Sequence, residues 1–167
     1  GTMAHNRVFD LYSRMVRHPL GGVVRDIIYD AADRVSGYTH LDIGSGSATA
    51  AAQALNQAFG YDELGRLTSV GTPGGTWGYA YDDNGNRTLL SYSSAGTTVS
   101  RPHTVDTASN RLLAVSSPAR GLSYDAAGNT TGSSENGYGW TATHDLSGRV
   151  QRLQSLVPAG SSGSAAD

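Results

Sequence analysis

One short pattern returns along the whole chain: an anchor residue, then Asp, two variable residues, a residue suited to tight turns, and Arg or Asn. The copies are Phe9-Asp10-Leu11-Tyr12-Ser13-Arg14, Tyr29-Asp30-Ala31-Ala32-Asp33-Arg34, Tyr61-Asp62-Glu63-Leu64-Gly65-Arg66 and Tyr81-Asp82-Asp83-Asn84-Gly85-Asn86, followed by Val105-Asp106-Thr107-Ala108-Ser109-Asn110, Tyr124-Asp125-Ala126-Ala127-Gly128-Asn129 and His144-Asp145-Leu146-Ser147-Gly148-Arg149. Anchors at 9, 29, 61, 81, 105, 124 and 144 are spaced by 20, 32, 20, 24, 19 and 20 residues. A period near twenty makes each copy one supersecondary unit, and the chain an array of such units.

The pattern reads as the tip of a β-hairpin. Asp caps the turn by accepting a backbone N–H two residues on, and Gly takes the left-handed position before the chain re-enters a strand. The structural turn residues are therefore Asp10, Asp30, Asp62, Gly65, Asp82, Gly85, Asp106, Asp125, Gly128, Asp145 and Gly148. Ser13, Asp33 and Ser109 stand where the other copies have Gly. Asp tolerates left-handed geometry and Ser does so less well, so the turns at Ser13 and Ser109 are expected to differ in type. The final position is Arg14, Arg34, Arg66 and Arg149 in four copies and Asn86, Asn110 and Asn129 in three. Stacked hairpins would set these in rows of exposed ion pairs, which would also suit a sulfated sugar or an acidic surface.

Strand patterning agrees with hairpins. Trp77, Tyr79 and Tyr81 alternate with small residues, and Phe59 with Tyr61, Leu122 with Tyr124 and Tyr138 with Trp140 repeat the two-residue step. Returning strands are expected at 67–70, 89–92 and 112–115, with Gly71-Thr72-Pro73-Gly74-Gly75 a connecting turn. Twenty-two glycines and nine tyrosines among 167 residues fit a turn-rich β-protein. The expected fold is all-β, tandem antiparallel hairpins forming a curved, extended sheet or part of a β-shell. Residues 1–6 are expected to be a tail in which Gly1-Thr2 before Met3 reads as a tag-removal scar. Residues 7–155 form the array, interrupted by a loop insertion near 41–56, and 156–167 have linker-like composition.

The Tyr-Asp-x-x-Gly-Arg/Asn signature resembles the YD repeats of the Rhs (rearrangement hotspot) family, which is related to the C components of bacterial insecticidal toxin complexes and to teneurins. Tyr61 to Arg66 and Tyr81 to Asn86 are close matches, and the resemblance covers about residues 7 to 155. It implies a noncatalytic shell segment of a polymorphic toxin, in a family whose long arrays enclose a C-terminal toxic domain. It also implies secretion or delivery by a secretion system such as type VI. The implied partners are further copies of the chain, joined through sheet edges or an aromatic face, or the remainder of a shell and its toxin. The family's aspartate-dependent self-cleavage region and toxin are absent from these 167 residues, so the chain reads as an excised or truncated part. A carbohydrate-binding or cell-surface interaction module is the alternative, with Trp77, Tyr79, Tyr138 and Trp140 stacking on sugar rings.

Other classes find little support. All twelve basic residues are arginines, scattered, and the net charge is -2, which is no footprint for nucleic acid. The absence of cysteine removes thiolate metal sites and disulfides. No apolar run is long enough to span a membrane, and Arg7, Asp10, Arg14 and Arg17 interrupt any signal peptide. Leu41-Asp42-Ile43-Gly44-Ser45-Gly46 resembles the first motif of Rossmann-like methyltransferases, but hairpins follow it where that fold needs strand-helix units. It is read as part of the insertion, with a short helix expected over 48–58, and no cofactor is expected. The histidines at 5, 18, 40, 103 and 144 lack zinc spacing, and His144 occupies an anchor position, where packing is its role. Asp82-Asp83-Asn84-Gly85-Asn86 places its glycine too early for a calcium loop and reads as a solvated turn. No metal site and no catalytic residue is assigned.

Overall fold

Every Asp tip joins an outgoing strand to a returning one, and alternating side chains leave each strand free to bond on both edges. The computed structural model describes residues 6–158. The strands are β1 (Val8–Phe9), β2 (Met15–Leu20), β3 (Val23–Tyr29), β4 (Val35–Asp42), β5 (Gln57–Tyr61), β6 (Leu67–Thr72), β7 (Gly75–Tyr81), β8 (Arg87–Ser94), β9 (Thr97–Val105), β10 (Leu112–Val115), β11 (Arg120–Tyr124), β12 (Thr130–Glu135), β13 (Tyr138–His144) and β14 (Val150–Leu156). They are hydrogen-bonded in chain order from β1 to β14, an all-β arrangement. The expected scar at Gly1-Thr2 and residues 159–167 of the expected linker lie outside the described residues.

The chain divides into two units. One runs to Tyr79 and includes Ser91–Val99; the other holds Ala80–Leu90 and the residues from Ser100 on. In the first unit, β3 pairs with β4 from Val23↔Asp42 to Tyr29↔Val35, and β5 with β6 from Ala58↔Gly71 to Tyr61↔Leu67. In the second, β11 pairs with β12 from Arg120↔Glu135 to Tyr124↔Thr130, and β13 with β14 from Gly139↔Leu156 to His144↔Val150. Each of these ladders slips by one residue at its tip, between Ile28 and Tyr29, Gly60 and Tyr61, Ser123 and Tyr124, and Thr143 and His144. The slip follows from a type I turn completed by a left-handed residue, which forces a bulge beside the turn. The connection expected over 71–75 is tighter than its composition suggests: β6 and β7 take Gly71, Thr72 and Gly75, leaving Pro73 and Gly74 as the turn.

Single-layer hairpins bury little. Among the described residues, Ala52, Ala142 and His40 are the side chains more than nine-tenths covered. Two of these belong to the insertion and its seat. The helix expected over 48–58 is shorter, a four-residue α1 (Ala50–Gln53) capped by the Thr49 hydroxyl, which accepts from the Ala52 N–H. The helix ends early because Asn56 turns back to β4, where its Oδ1 accepts the His40 N–H at 2.9 Å and lies 3.2 Å from His40 Nδ1. Arg25 Nε donates to His40 Nε2 at 3.0 Å, which assigns the ring proton to Nδ1, and the guanidinium lies 4.4 Å from the Tyr38 ring centre. Tyr38 in turn meets Phe59 edge to face at 5.3 Å. The insertion is thus a local plug on β4, fastened by a histidine whose two nitrogens are both engaged.

Candidate functional site

The recurring chemistry sits at the tips. In the third, Asp62 Oδ1 accepts the N–H groups of Leu64 (3.0 Å) and Arg66 (2.8 Å), and Oδ2 accepts Arg66 Nε at 2.6 Å. Gly65 N–H closes the turn on the Asp62 carbonyl at 3.0 Å, with φ at +77°. The first, second and seventh tips repeat this with Asp10 and Arg14, Asp30 and Arg34, and Asp145 and Arg149. Where Arg is replaced, Asn86 Nδ2 and Asn129 Nδ2 donate to Oδ2 of Asp82 and Asp125, both at 2.9 Å. A guanidinium Nε and an amide Nδ2 put a donor in the same place, which is why Arg and Asn interchange at this position.

Two expectations about the tips change. Ser13 adopts φ 63° and donates its N–H to the Asp10 carbonyl, so its turn matches that of the glycine copies. Only the Ser109 turn differs. It is one residue longer: Asn110 is the left-handed residue at φ 56°, its N–H bonds to the Asp106 carbonyl, and Asp106 N–H reaches Arg111. Ser109 Oγ takes the place of the basic or amide donor at Asp106 Oδ2. The residue that continues the row is therefore Arg111, not Asn110.

With donors converging on them, all seven carboxyls are held below the usual aspartate range. The largest influence is the Arg34 amide for Asp30, the Arg66 side chain for Asp62 and the Arg149 amide for Asp145. At Asp82, Asp106 and Asp125 the leading donor is the side chain of Asn86, Ser109 and Asn129. At Asp10 itself desolvation is the largest single influence and opposes the shift, but the Arg14 and Tyr12 bonds together outweigh it.

Consecutive tips are also tied to each other. The Arg14 guanidinium lies 4.6 Å from the Tyr29 ring centre and pairs with Asp33. Arg34 lies 4.7 Å from the Tyr61 ring centre and donates to the Asp62 carbonyl at 3.1 Å; Arg111 lies 5.6 Å from the Tyr124 ring centre and donates to the Asp125 carbonyl at 3.1 Å. The tyrosine hydroxyls complete each junction by donating to the first residue of the preceding returning strand: Tyr29 to Met15, Tyr61 to Val35 and Tyr124 to Leu112. Asn86 Nδ2 donates to Asn110 Oδ1 at 2.9 Å in the amide version. Each of the Arg14, Arg34 and Arg111 junctions combines a cation-π contact with hydrogen bonding, a geometry a planar guanidinium supplies at once.

The seventh tip keeps the turn and loses the junction. His144 replaces the tyrosine, Asn129 stands where Arg34 and Arg111 stand at the earlier junctions, and His144 Nδ1 is buried without a hydrogen-bond partner. The Arg149 side chain is 80% exposed, against 27%, 33% and 28% for Arg14, Arg34 and Arg66.

The remaining candidates lie apart from this row. Asp42 Oδ1 accepts the N–H groups of Gly44 and Ser45 and the Ser45 hydroxyl, so its carboxylate occupies the amides that a cofactor-binding glycine turn would offer to its ligand. Asp82 Oδ1 and Oδ2 are engaged by Asn86. Trp77 and Tyr79 lie on β7, and the Trp77 ring packs at 4.6 Å on Tyr92; Tyr138, exposed, and Trp140, half-buried, lie on β13. No group of three or more potential metal ligands occurs among the described residues, and none of their helices is long and apolar enough to cross a membrane.

Residues 61–98, which hold the third and fourth tips, match the family model of the RHS repeat. No curated protein matches the chain. Among solved structures, the crystal structure of TcdB2-TccC3-TEV shares the fold with a TM-score of 0.74 at 12% identity, over 92% of this chain and 9% of that one. A Tc holotoxin pore from Photorhabdus luminescens is similar at a TM-score of 0.47 and 16% identity, over 95% of this chain and 10% of that one. The chain therefore spans about a tenth of the length of the structures it matches.

Proposed function

We propose that this array of RHS-type hairpins is a noncatalytic wall segment, one stretch of a larger shell that encloses a C-terminal toxin and is secreted or delivered with it. The observation that carries the reading is the junction between tips. Arg34 on the Tyr61 ring and on the Asp62 carbonyl, with Tyr61 hydroxyl on Val35, fixes the spacing of one hairpin on the next. Chemistry of that kind serves the continuity of a sheet, since the Arg34 and Tyr61 donors are taken up by backbone carbonyls of adjoining hairpins. The RHS match at 61–98 and the fold shared with TcdB2-TccC3-TEV support it from outside the chain.

A wall segment leaves apolar surface for its neighbours, and Phe9, Leu146, Val150 and Leu153 are exposed at the two ends of the strand order. Sedimentation velocity combined with an apolar dye is the test. Concentration-dependent association or strong dye binding is the expected result. A strictly monomeric chain that binds no dye would overturn the reading. A glycan array on which binding is lost with Trp77→Ala in a folded protein would replace it with the sugar-binding alternative.

A further inference from the structure

We propose that the seventh unit holds a binding cleft for a single aromatic ring bearing a hydroxyl group, a site that goes beyond the wall role and does not depend on it. The cleft, of about 440 Å³, lies within the second unit and is lined by Asn129, Trp140, Ala142, His144, Val150 and Leu153, among others. That volume falls within the range of small-molecule sites, which are mostly apolar with a few polar groups.

Its origin can be read from the repeat. The anchor and the residue two before it share a face of the outgoing strand. In four of the other copies these positions hold Tyr29 with Ile27, Tyr61 with Phe59, Tyr81 with Tyr79 and Tyr124 with Leu122. Here they hold His144 and Ala142, and the preceding tip supplies Asn129 in place of a guanidinium. Three smaller groups converge on one place, and the cleft opens where those four copies keep aromatic or branched side chains. Trp140, two residues further back on β13, supplies an aromatic wall.

The polar requirement comes from His144. At the earlier junctions a phenol hydroxyl donates to a strand carbonyl, but here Nδ1 is buried with no partner, and an orphaned buried polar atom costs free energy until it finds one. His144 lines the cleft, and a half turn about Cβ–Cγ, which exchanges Nδ1 with Cδ2, would let a ligand hydroxyl supply the hydrogen bond the ring lacks. The ligand that meets both conditions is a phenol, whether free or as the tyrosine side chain of another polypeptide.

The intact chain, isotopically labelled, is titrated with p-cresol, toluene and N-acetyltyrosinamide while the Trp140 indole and Ala142 methyl resonances are followed. The expected result is saturable shifts with p-cresol binding about three- to tenfold tighter than toluene, the span of one net hydrogen bond. His144→Phe keeps the cleft and is expected to abolish the preference for p-cresol, and Ala142→Phe is expected to abolish binding of both. N-acetyltyrosinamide matching p-cresol would identify a polypeptide tyrosine as the source, and its exclusion would identify a free phenol. Equal binding of p-cresol and toluene, no saturable shift at all, or an unchanged preference in His144→Phe would each overturn the proposal, and the last readout serves even if Ala142→Phe fails to fold.

Discussion

The third tip and the seventh share a turn and differ in almost everything around it. Both close an Asp carbonyl on a glycine N–H, and both hold Arg Nε on Asp Oδ2, at 2.6 Å for Arg66 and 2.9 Å for Arg149. Around the third, Phe59 packs on Tyr38, Arg34 stacks on Tyr61 and the Tyr61 hydroxyl is bonded. Around the seventh stand Ala142, Asn129 and a histidine with an idle nitrogen. Turn formation is thus written in six consecutive residues, and hairpin-to-hairpin attachment in a second set of residues that can vary independently.

The largest expected difference lies in packing. Phe59→Ala removes the edge-to-face partner of Tyr38 from a half-buried site and is expected to lower unfolding stability in urea by about 2–3 kcal/mol. Ala142→Gly, at the same place in the seventh unit, is expected to cost about 0.5–1 kcal/mol. Equal losses would end the distinction between a packed and an open tip. Next come the turns. Gly65→Ala and Gly148→Ala each place a side chain at positive φ, +77° and +74°, and each is expected to cost about 1–2 kcal/mol. Here equality sharpens the comparison, because a cost confined to one tip would mean the turns are not autonomous. Smaller still, Tyr61→Phe gives up the Val35 hydrogen bond for about 0.5–1.5 kcal/mol. His144→Phe is expected to move the other way, gaining up to about 1 kcal/mol by removing an unpartnered nitrogen.

This division explains what was legible in the sequence. The hairpin order and the strands at 67–70, 89–92 and 112–115 follow from local signals, Asp with a turn residue and two-residue alternation, and all three strands appear within β6, β8 and β10. Ser13 showed where residue preference misleads: the Asp10 and Arg14 bonds hold the turn, and a serine is drawn into left-handed geometry against its tendency. At Ser109 the pattern Asp-x-x-Ser-Asn hid an extra residue, and Arg111, next in line, was the available signal. The junctions themselves join residues such as Arg34 and Tyr61, 27 positions apart across a variable insertion, so no local pattern reveals them. The seat of His40 between Arg25 and Asn56 was hidden for the same reason.

Acid is the gentlest probe of a single tip, and it reports on both tips in the same direction. Asp62 and Asp145 are held below the usual aspartate range in the folded chain, first by the Arg66 side chain and by the Arg149 amide respectively. In the unfolded chain an aspartate titrates near ~3.9. Between that value and the lower folded one, the unfolded chain binds more protons, so stability rises with pH in this window. The contribution is fully present above about pH 4 and is lost as pH falls through the folded values. Thermal melts between pH 6 and pH 2.5 are expected to show a flat midpoint down to about pH 4 and a progressive fall below it. Asp145 also feels the neighbouring His144, after the backbone and side-chain bonds of Arg149, whereas no such ring acts on Asp62. Replacing His144 by Phe should therefore make the acid fall slightly smaller and complete it at a slightly higher pH, with its start unchanged, and replacing Tyr61 by Phe should leave the fall as it is. An acid limb of the same size and the same lower end in all three chains would show that the seventh carboxyl is governed by its own turn alone, which would make the two tips electrostatically identical despite their different surroundings.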